Sequence, residues 1–247
     1  PFVVRFEHGT VNRSIYEIAM LHDPLREPVP SATRRPAGWN GAAVFTLGLG
    51  CANGWYRQGQ KTAGVTNPDQ LGQGYAVMSS SLNVSTINCS DAIAAEAAMM
   101  VEERFVENYG PMTHTIGVGC SGGSYQAHQI TDNYPGIFDG IVTSCSFPDV
   151  GFATGYFLTD SQLLVRYFRT ADIAWTPEQR RAVTGFVTYA TATNVAPKAN
   201  RFRPDASCAM VPTELRYRAD TNPDGVRCGV FDHQVNVYGT DPETGFA

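Results

Sequence analysis

The sequence predicts an α/β fold, a mostly parallel sheet opened by an antiparallel pair. Three observations carry the prediction. Two β-rich segments begin the chain with only a short turn between them. Short apolar runs then alternate with helix-capable segments, the order in which helices act as crossovers between parallel strands. At one junction, Gly119-Cys120-Ser121-Gly122-Gly123, three glycines surround a serine where a strand hands over to a helix.

The opening pair is expected over Phe2–Glu7 and Ser14–Leu21, around a His8-Gly9-Thr10 turn. A Pro- and Arg-rich loop from Asp23 to Gly38 follows, and then the apolar run Ala42–Leu47, a buried strand. Tyr75–Ser79 is the next strand and Ser80–Ser90 a polar loop. Ser90 or Asp91 caps a long helix over Ala92–Asn108, which Gly110 and Pro111 stop. In that helix Ile93, Ala97, Met100, Val101 and Phe105 recur at helical spacing and mark its core face. A strand ends at Ser121, a helix runs from there to about Asn133, and Tyr134-Pro135-Gly136 breaks the chain before a sixth, buried strand, Gly140–Ser144.

Beyond Pro148 the texture changes. Ser161–Arg169 reads as an amphipathic helix. Thr176-Pro177-Glu178-Gln179 opens another that runs to about Ala192, with Thr at the N-cap, Pro at N1 and Gln three residues on. Asn194–Arg227 is rich in Pro, Arg and Asp and has no clear period. The expected organisation is a core over 1–149, a helical lid over 150–230 inserted after the sixth strand, and a return segment over 231–247.

At 247 residues and 43% hydrophobic, the chain can bury one large core, or a core plus a lid. A net charge of −5 with scattered basic residues argues against a nucleic-acid partner. No apolar run approaches the roughly eighteen residues of a membrane span. The six cysteines (51, 89, 120, 145, 208 and 228) form an even set without a C-x-x-C pair or a histidine at metal-ligand spacing. Disulfides are expected over the alternative of buried free thiols, as Cys51–Cys89 and Cys208–Cys228, and with them an exported protein, secreted or periplasmic. A chain that opens on Pro1 fits a removed signal peptide or a trimmed end. Asp220-Thr221-Asn222-Pro223-Asp224-Gly225 imitates the start of a calcium loop, but Phe231 stands where the closing glutamate belongs. Asn-Pro-Asp-Gly reads as a turn instead. No metal or cofactor is expected. Asn12, Asn83 and Asn88 head N-x-S sequons.

The serine junction carries the chemistry. A serine on so tight a strand–helix turn is lifted above the sheet at the positive end of a helix, the setting of a nucleophile elbow. Its alternatives are a glycine-rich turn that only packs, or one that cradles a phosphate. As a nucleophile, Ser121 places the Gly122 N–H where an oxyanion forms. Gly48-Leu49-Gly50-Cys51-Ala52-Asn53-Gly54 follows the third strand and offers further inward-facing amides, with Gly50 and Cys51 the candidates. An ordinary glycine-rich loop is the other reading.

The elbow resembles that of the tannase and feruloyl esterase family. Other stretches resemble an uncharacterised tannase-like group of secreted α/β-hydrolases. These are Gly38-Trp39-Asn40-Gly41, Gly50-Cys51-Ala52-Asn53-Gly54, Ser79-Ser80-Ser81-Leu82-Asn83-Val84, Asn133-Tyr134-Pro135-Gly136, Ser146-Phe147-Pro148-Asp149, Gly225-Val226-Arg227-Cys228 and Gly245-Phe246-Ala247. The resemblance implies an α/β-hydrolase-type sheet and hydrolysis of a small or oligomeric ester through an acyl-enzyme on Ser121. It also implies a disulfide between Cys120 and a cysteine beside the catalytic histidine, yet this chain has no His-Cys pair. Cys120–Cys145 is the alternative, both residues lying near the ends of adjacent strands.

A serine needs a base and the base an orienting acid. His8 and His22 fall in the opening pair, His114 at the far end of the elbow strand, and His128 two turns along the following helix. Each reads as structural or solvated. His233 alone comes late enough for the order Ser, Asp or Glu, His. Asp149, just past the sixth strand, is a candidate acid or simply a turn or helix cap. The preferred expectation is a longer precursor cut after Ala247, whose second chain supplies the Asp, the His and the last strands of the sheet. An amidase or acylase with the same machinery, and a binding protein that lost its chemistry, are the alternatives.

Overall fold

The computed structural model describes residues 3–50, 61–147, 155–203 and 211–229. These fall into two compact units, 3–147 and 155–229. The first is built on a six-stranded mixed sheet in the order β1-β2-β4-β3-β5-β6. β1 (Val4–Val11) and β2 (Ser14–Leu21) form an antiparallel hairpin, and β2 pairs antiparallel with β4 (Ala76–Ser80). β4, β3 (Ala42–Leu47), β5 (His114–Cys120) and β6 (Gly140–Ser144) are mutually parallel. This is the expected α/β sheet with an antiparallel opening.

The hairpin turns at Asn12-Arg13, not at His8-Gly9-Thr10. Both turn residues take positive φ, 50° and 58°. A two-residue turn of that kind matches the twist of the strands it joins. Gly9 lies inside β1 opposite Tyr16, and a Cβ there would sit 2.8 Å from the Tyr16 ring. Its lack of a side chain serves packing rather than reversal.

Helix α1 (Pro68–Gly72), which the sequence does not announce, is capped by the Asn67 side chain on the Asp69 and Gln70 amides. Its Leu71 packs with Ala19, Val65 and Val77 on one face of the sheet. Helices α2 (Asp91–Tyr109) and α3 (Gly122–Asn133) contribute to the core of the other face. There Ala94, Ala98, Val101, Phe105 and Tyr109 of α2 and Ala127 and Ile130 of α3 meet Ile18, Met20, Phe45 and Met78. Ser90 is the N-cap of α2, its side chain accepting from the Ile93 amide. Gly110 closes the helix at φ 86°.

Ser80–Ser90 is no solvated loop. Ser80, Ser81, Asn83, Ser85 and Asn88 are all buried. Their polarity is satisfied internally, as burial demands. Ser80 Oγ donates to Asn83 Oδ1, Asn83 Nδ2 to the Ala94 carbonyl, and Asn88 Nδ2 to the Leu82 carbonyl.

In the second unit, α4 (Gly155–Thr170) begins six residues before the amphipathic signal at Ser161. α5 (Pro177–Thr184) carries the full capping box, Thr176 and Gln179 exchanging hydrogen bonds. It does not reach Ala192. Gly185 enters the left-handed region at φ 71° and its N–H closes on Arg181, so a separate helix, α6 (Tyr189–Val195), follows. Phe168, Trp175 and Tyr189 pack edge to face in this unit, with the Arg180 guanidinium over Phe168 and Tyr189. Asp220–Gly225 is a turn. Arg218 and Asn222 exchange backbone hydrogen bonds, and Asn222 Nδ2 donates to the Glu214 and Arg216 carbonyls.

Candidate active site

β5 ends at Cys120 and α3 begins at Gly122, which leaves Ser121 alone in the bend. Its backbone stands at φ 54° and ψ −117°, outside the basins open to an ordinary residue. Two hydrogen bonds hold it there. The Ser121 N–H donates to the Ser144 carbonyl at 3.1 Å, and its own carbonyl accepts from Tyr125 N at 3.0 Å. The residue is half-buried.

The glycines are dictated by contact. A Cβ on Gly119 would lie 2.4 Å from the Gly123 carbonyl, and one on Gly123 2.4 Å from the Leu47 carbonyl. A Cβ on Gly122 would lie 1.8 Å from Gly50 O and 2.6 Å from Gly50 N. Gly122, the first helical residue, thus abuts Gly50, the residue nominated beside it for oxyanion binding. Cys51, the third nominated position, lies outside the described residues.

The Ser80–Ser90 segment braces both halves of this arrangement. Ser85 Oγ donates to the Gly122 carbonyl at 2.9 Å, and Gln126 Nε2 to the Asn88 carbonyl at 2.9 Å, which ties α3 down. On the other side Gly48 N donates to Asn83 O and Thr86 N to Leu49 O, fixing the loop after β3. A Cβ on Gly50, at φ 93°, would strike Thr86 Cγ2 at 2.2 Å. The run of small polar residues from Ser79 to Ser90 is the available signal for this brace, but composition alone gives only a polar loop.

Among the described residues no histidine hydrogen-bonds the Ser121 hydroxyl. His22 is buried with Nε2 3.2 Å from the Pro28 carbonyl. His8 neighbours Phe6, and His114 Nδ1 lies 3.3 Å from Thr113 Oγ1 at the opposite end of β5. His128 has a partner that sequence reasoning missed: its Nε2 is 2.8 Å from Ser146 Oγ, which also accepts from Ser124 Oγ at 3.0 Å. Ser124 and His128 are four apart on α3 and share a face. Together with the stacked rings of Tyr125 and Phe147 they dock the segment after β6 onto the helix. His233 and Asp149 lie outside the described residues.

Cys120 and Cys145 are free thiols, and they hydrogen-bond to one another. That bond, with another to Ser144, holds the Cys120 thiol below the usual thiol range, while Cys145 is pushed up by its Cys120 neighbour. Cys89 and Cys228 are each disulfide-bonded. Their expected partners, Cys51 and Cys208, lie outside the described residues. Among the described residues no cluster of His, Cys, Asp and Glu is arranged to hold a metal ion, and no helix is long and apolar enough to cross a membrane.

The sheet and its strand–turn–helix bend at Ser121 define an α/β-hydrolase-type fold. The chain belongs to the tannase-like family of unknown function (DUF6351), matched over residues 1–247. No curated protein matches it. Three solved structures are similar at low identity. An esterase from Aspergillus oryzae is 15% identical, with a TM-score of 0.40, over 71% of this chain and 34% of that one. Feruloyl esterase B from Aspergillus oryzae is 13% identical, with a TM-score of 0.41, over 99% and 54%. A tannin acyl hydrolase from Aspergillus niger is 11% identical, with a TM-score of 0.38, over 70% and 37%. The chain therefore spans between 34% and 54% of the length of these structures.

Proposed function

We propose that this chain carries the nucleophile half of an exported serine hydrolase that cleaves carboxylic esters. The observation that carries the reading is the backbone of Ser121, held at φ 54° between glycines that no other residue can replace without collision. Strain of this kind persists where its surroundings enforce it, and it concentrates at functional sites. Membership of a tannase-like family supports the ester as substrate class. In this reading Ser121 Oγ attacks the ester carbonyl while an imidazole takes its proton. Amides of Gly122 and of the Gly50–Cys51 loop stabilise the oxyanion, and water then releases the acid from the acyl-enzyme.

The imidazole and its carboxylate partner come, in this proposal, from a second chain cut from the same precursor. The supporting observation is the edge of the sheet. Among the described residues β6 has no strand on its outer side, and its Val142 is 62% exposed. Open edges are ordinarily covered, and a further parallel strand laid on β6 would be separated from the Ser121 elbow by β6 alone. The bridged Cys89 and Cys228 support export. One observation favours a second reading, a binding protein on the hydrolase fold: no described histidine reaches Ser121.

The test is hydrolysis of matched aryl ester and anilide substrates by the natively processed protein and by its Ser121→Ala variant. The expected result is ester turnover that falls by about a thousandfold or more in the variant. Turnover that survives the substitution overturns the proposal, as does a preference for the anilide.

A further inference from the structure

We propose that Cys120 and Cys145 form a disulfide that staples the elbow strand to the segment following β6. The inference is independent of whether Ser121 reacts. β5 and β6 are parallel neighbours in which Cys120 registers with Ser144, so those two side chains share a face of the sheet. A further extended residue would send Cys145 to the opposite face. Instead Cys145 enters the left-handed region at φ 50°, one of only four described residues other than glycine with positive φ. That departure from the strand brings its thiol into hydrogen-bonding contact with the thiol of Cys120. A strained backbone that serves to bring two sulfurs together is what a cross-link needs.

The chemistry favours closure. Cys120 is the thiol with the lowered pKa and so the better source of thiolate, while Cys145 is exposed to an incoming oxidant. The oxidant required is a disulfide, either a low-molecular-weight one, RSSR, or that of a thiol oxidoreductase. The Cys120 thiolate attacks one sulfur of RSSR and expels RS⁻, which takes up a proton. Cys145, losing its own proton, attacks the Cys120 sulfur of the mixed disulfide and expels the second RS⁻. Two electrons pass to RSSR, two molecules of RSH leave, and the protein gains one S–S bond.

The bridge would fix the end of β5 to the segment that Ser146 and Phe147 dock onto α3. The residue before Ser121 would then be tied covalently to the residue after β6, adding to the hydrogen bond between Ser121 and Ser144. This pairing also departs from the one the tannase and feruloyl esterase resemblance implies, in which the cysteine before the serine bonds to one beside a histidine.

Peptide mapping by mass spectrometry decides it. The native protein is equilibrated with a glutathione redox buffer, trapped with N-ethylmaleimide without reductant, and digested. The expected product is a cross-linked pair of peptides bearing Cys120 and Cys145, lighter by two hydrogen masses than their sum and separated by reduction. In Cys145→Ser, Cys120 becomes alkylated at once while Cys89 stays protected. Alkylation of both thiols in the native protein overturns the inference, and so does a link from Cys120 to any other cysteine.

Discussion

The amide of Ser121 donates to the carbonyl of Ser144 across 3.1 Å, fastening the elbow to the last described strand of the sheet. The bend is therefore set by three neighbours at once: β6 on one side, the loop after β3 on another, and the buried Ser80–Ser90 segment beneath. Each is open to a separate test.

Gly122→Ala is expected to fail locally. Its Cβ would meet backbone atoms of Gly50, which cannot rotate aside as a side chain can. Overpacking of this sort costs about 1–3 kcal/mol, and this contact belongs at the upper end. Urea denaturation monitored by intrinsic fluorescence measures it. A midpoint unchanged from the parent would contradict the close approach of the two loops.

Two of the three sequons should stay bare in a glycosylating host. Asn83 and Asn88 are buried, with their amides committed to carbonyls inside the brace, whereas Asn12 sits on the hairpin turn. Glycopeptide mapping is expected to find carbohydrate at Asn12 alone. Asn83→Ala should destabilise by about 1–3 kcal/mol through the buried Ser80 hydroxyl left without its acceptor. A glycan on folded protein at Asn83 or Asn88 would contradict the structure of that segment.

Glu102 supplies a dependence on pH. Burial, with the charge of Asp139 adding, pushes its carboxyl up from 4.5 to about 8, against a weaker opposing hydrogen bond from Thr115. One of its oxygens, Oε1, is buried without a partner. The folded state thus binds the proton more tightly than the unfolded chain. The contribution is complete below pH 4.5, declines as the pH rises, and is gone above about 8. The slope in that window is at most about 1.4 kcal/mol per pH unit. Glu102→Gln should flatten it, leaving the variant more stable than the parent at about pH 8. Chemical denaturation across the window checks this, and an unchanged slope in the variant would assign the dependence elsewhere.

His128 should be dispensable for the reactivity of Ser121. Its ring nitrogen meets Ser146, not the elbow hydroxyl. His128→Ala is expected to leave the labelling rate of Ser121 within about twofold. A loss of about a hundredfold or more, the scale of a missing general base, would show that His128 reaches the serine.

The sequence was most legible where one physical cause acts alone. Ala42–Leu47 and Gly140–Ser144 are short apolar runs, and both are strands with those bounds, but only the first is buried as expected; Val142 of the second is exposed. The Thr176 capping box is entirely local, and it forms. Errors arose where two causes compete for one residue type. Gly9 suggested a turn but accommodates the Tyr16 ring, while the reversal went to Asn12 and Arg13. Gly185 lay inside a helical pattern and proved to be a C-cap. Ser80–Ser90 read as a polar loop because small polar residues are common in loops, and nothing local reports that the Ser80, Asn83, Ser85 and Asn88 side chains have internal partners. At the site, Gly119, Ser121 and Gly123 were readable from their spacing. The pairing of His128 with Ser146 was not, since it depends on how the segment after β6 lies on α3.

The most direct test of the central claim is covalent labelling of the native protein with a fluorophosphonate, followed by mapping of the modified residue. The account predicts a single adduct on Ser121, abolished in Ser121→Ala. An intact protein that takes up no probe, or takes it up at another serine, would contradict it.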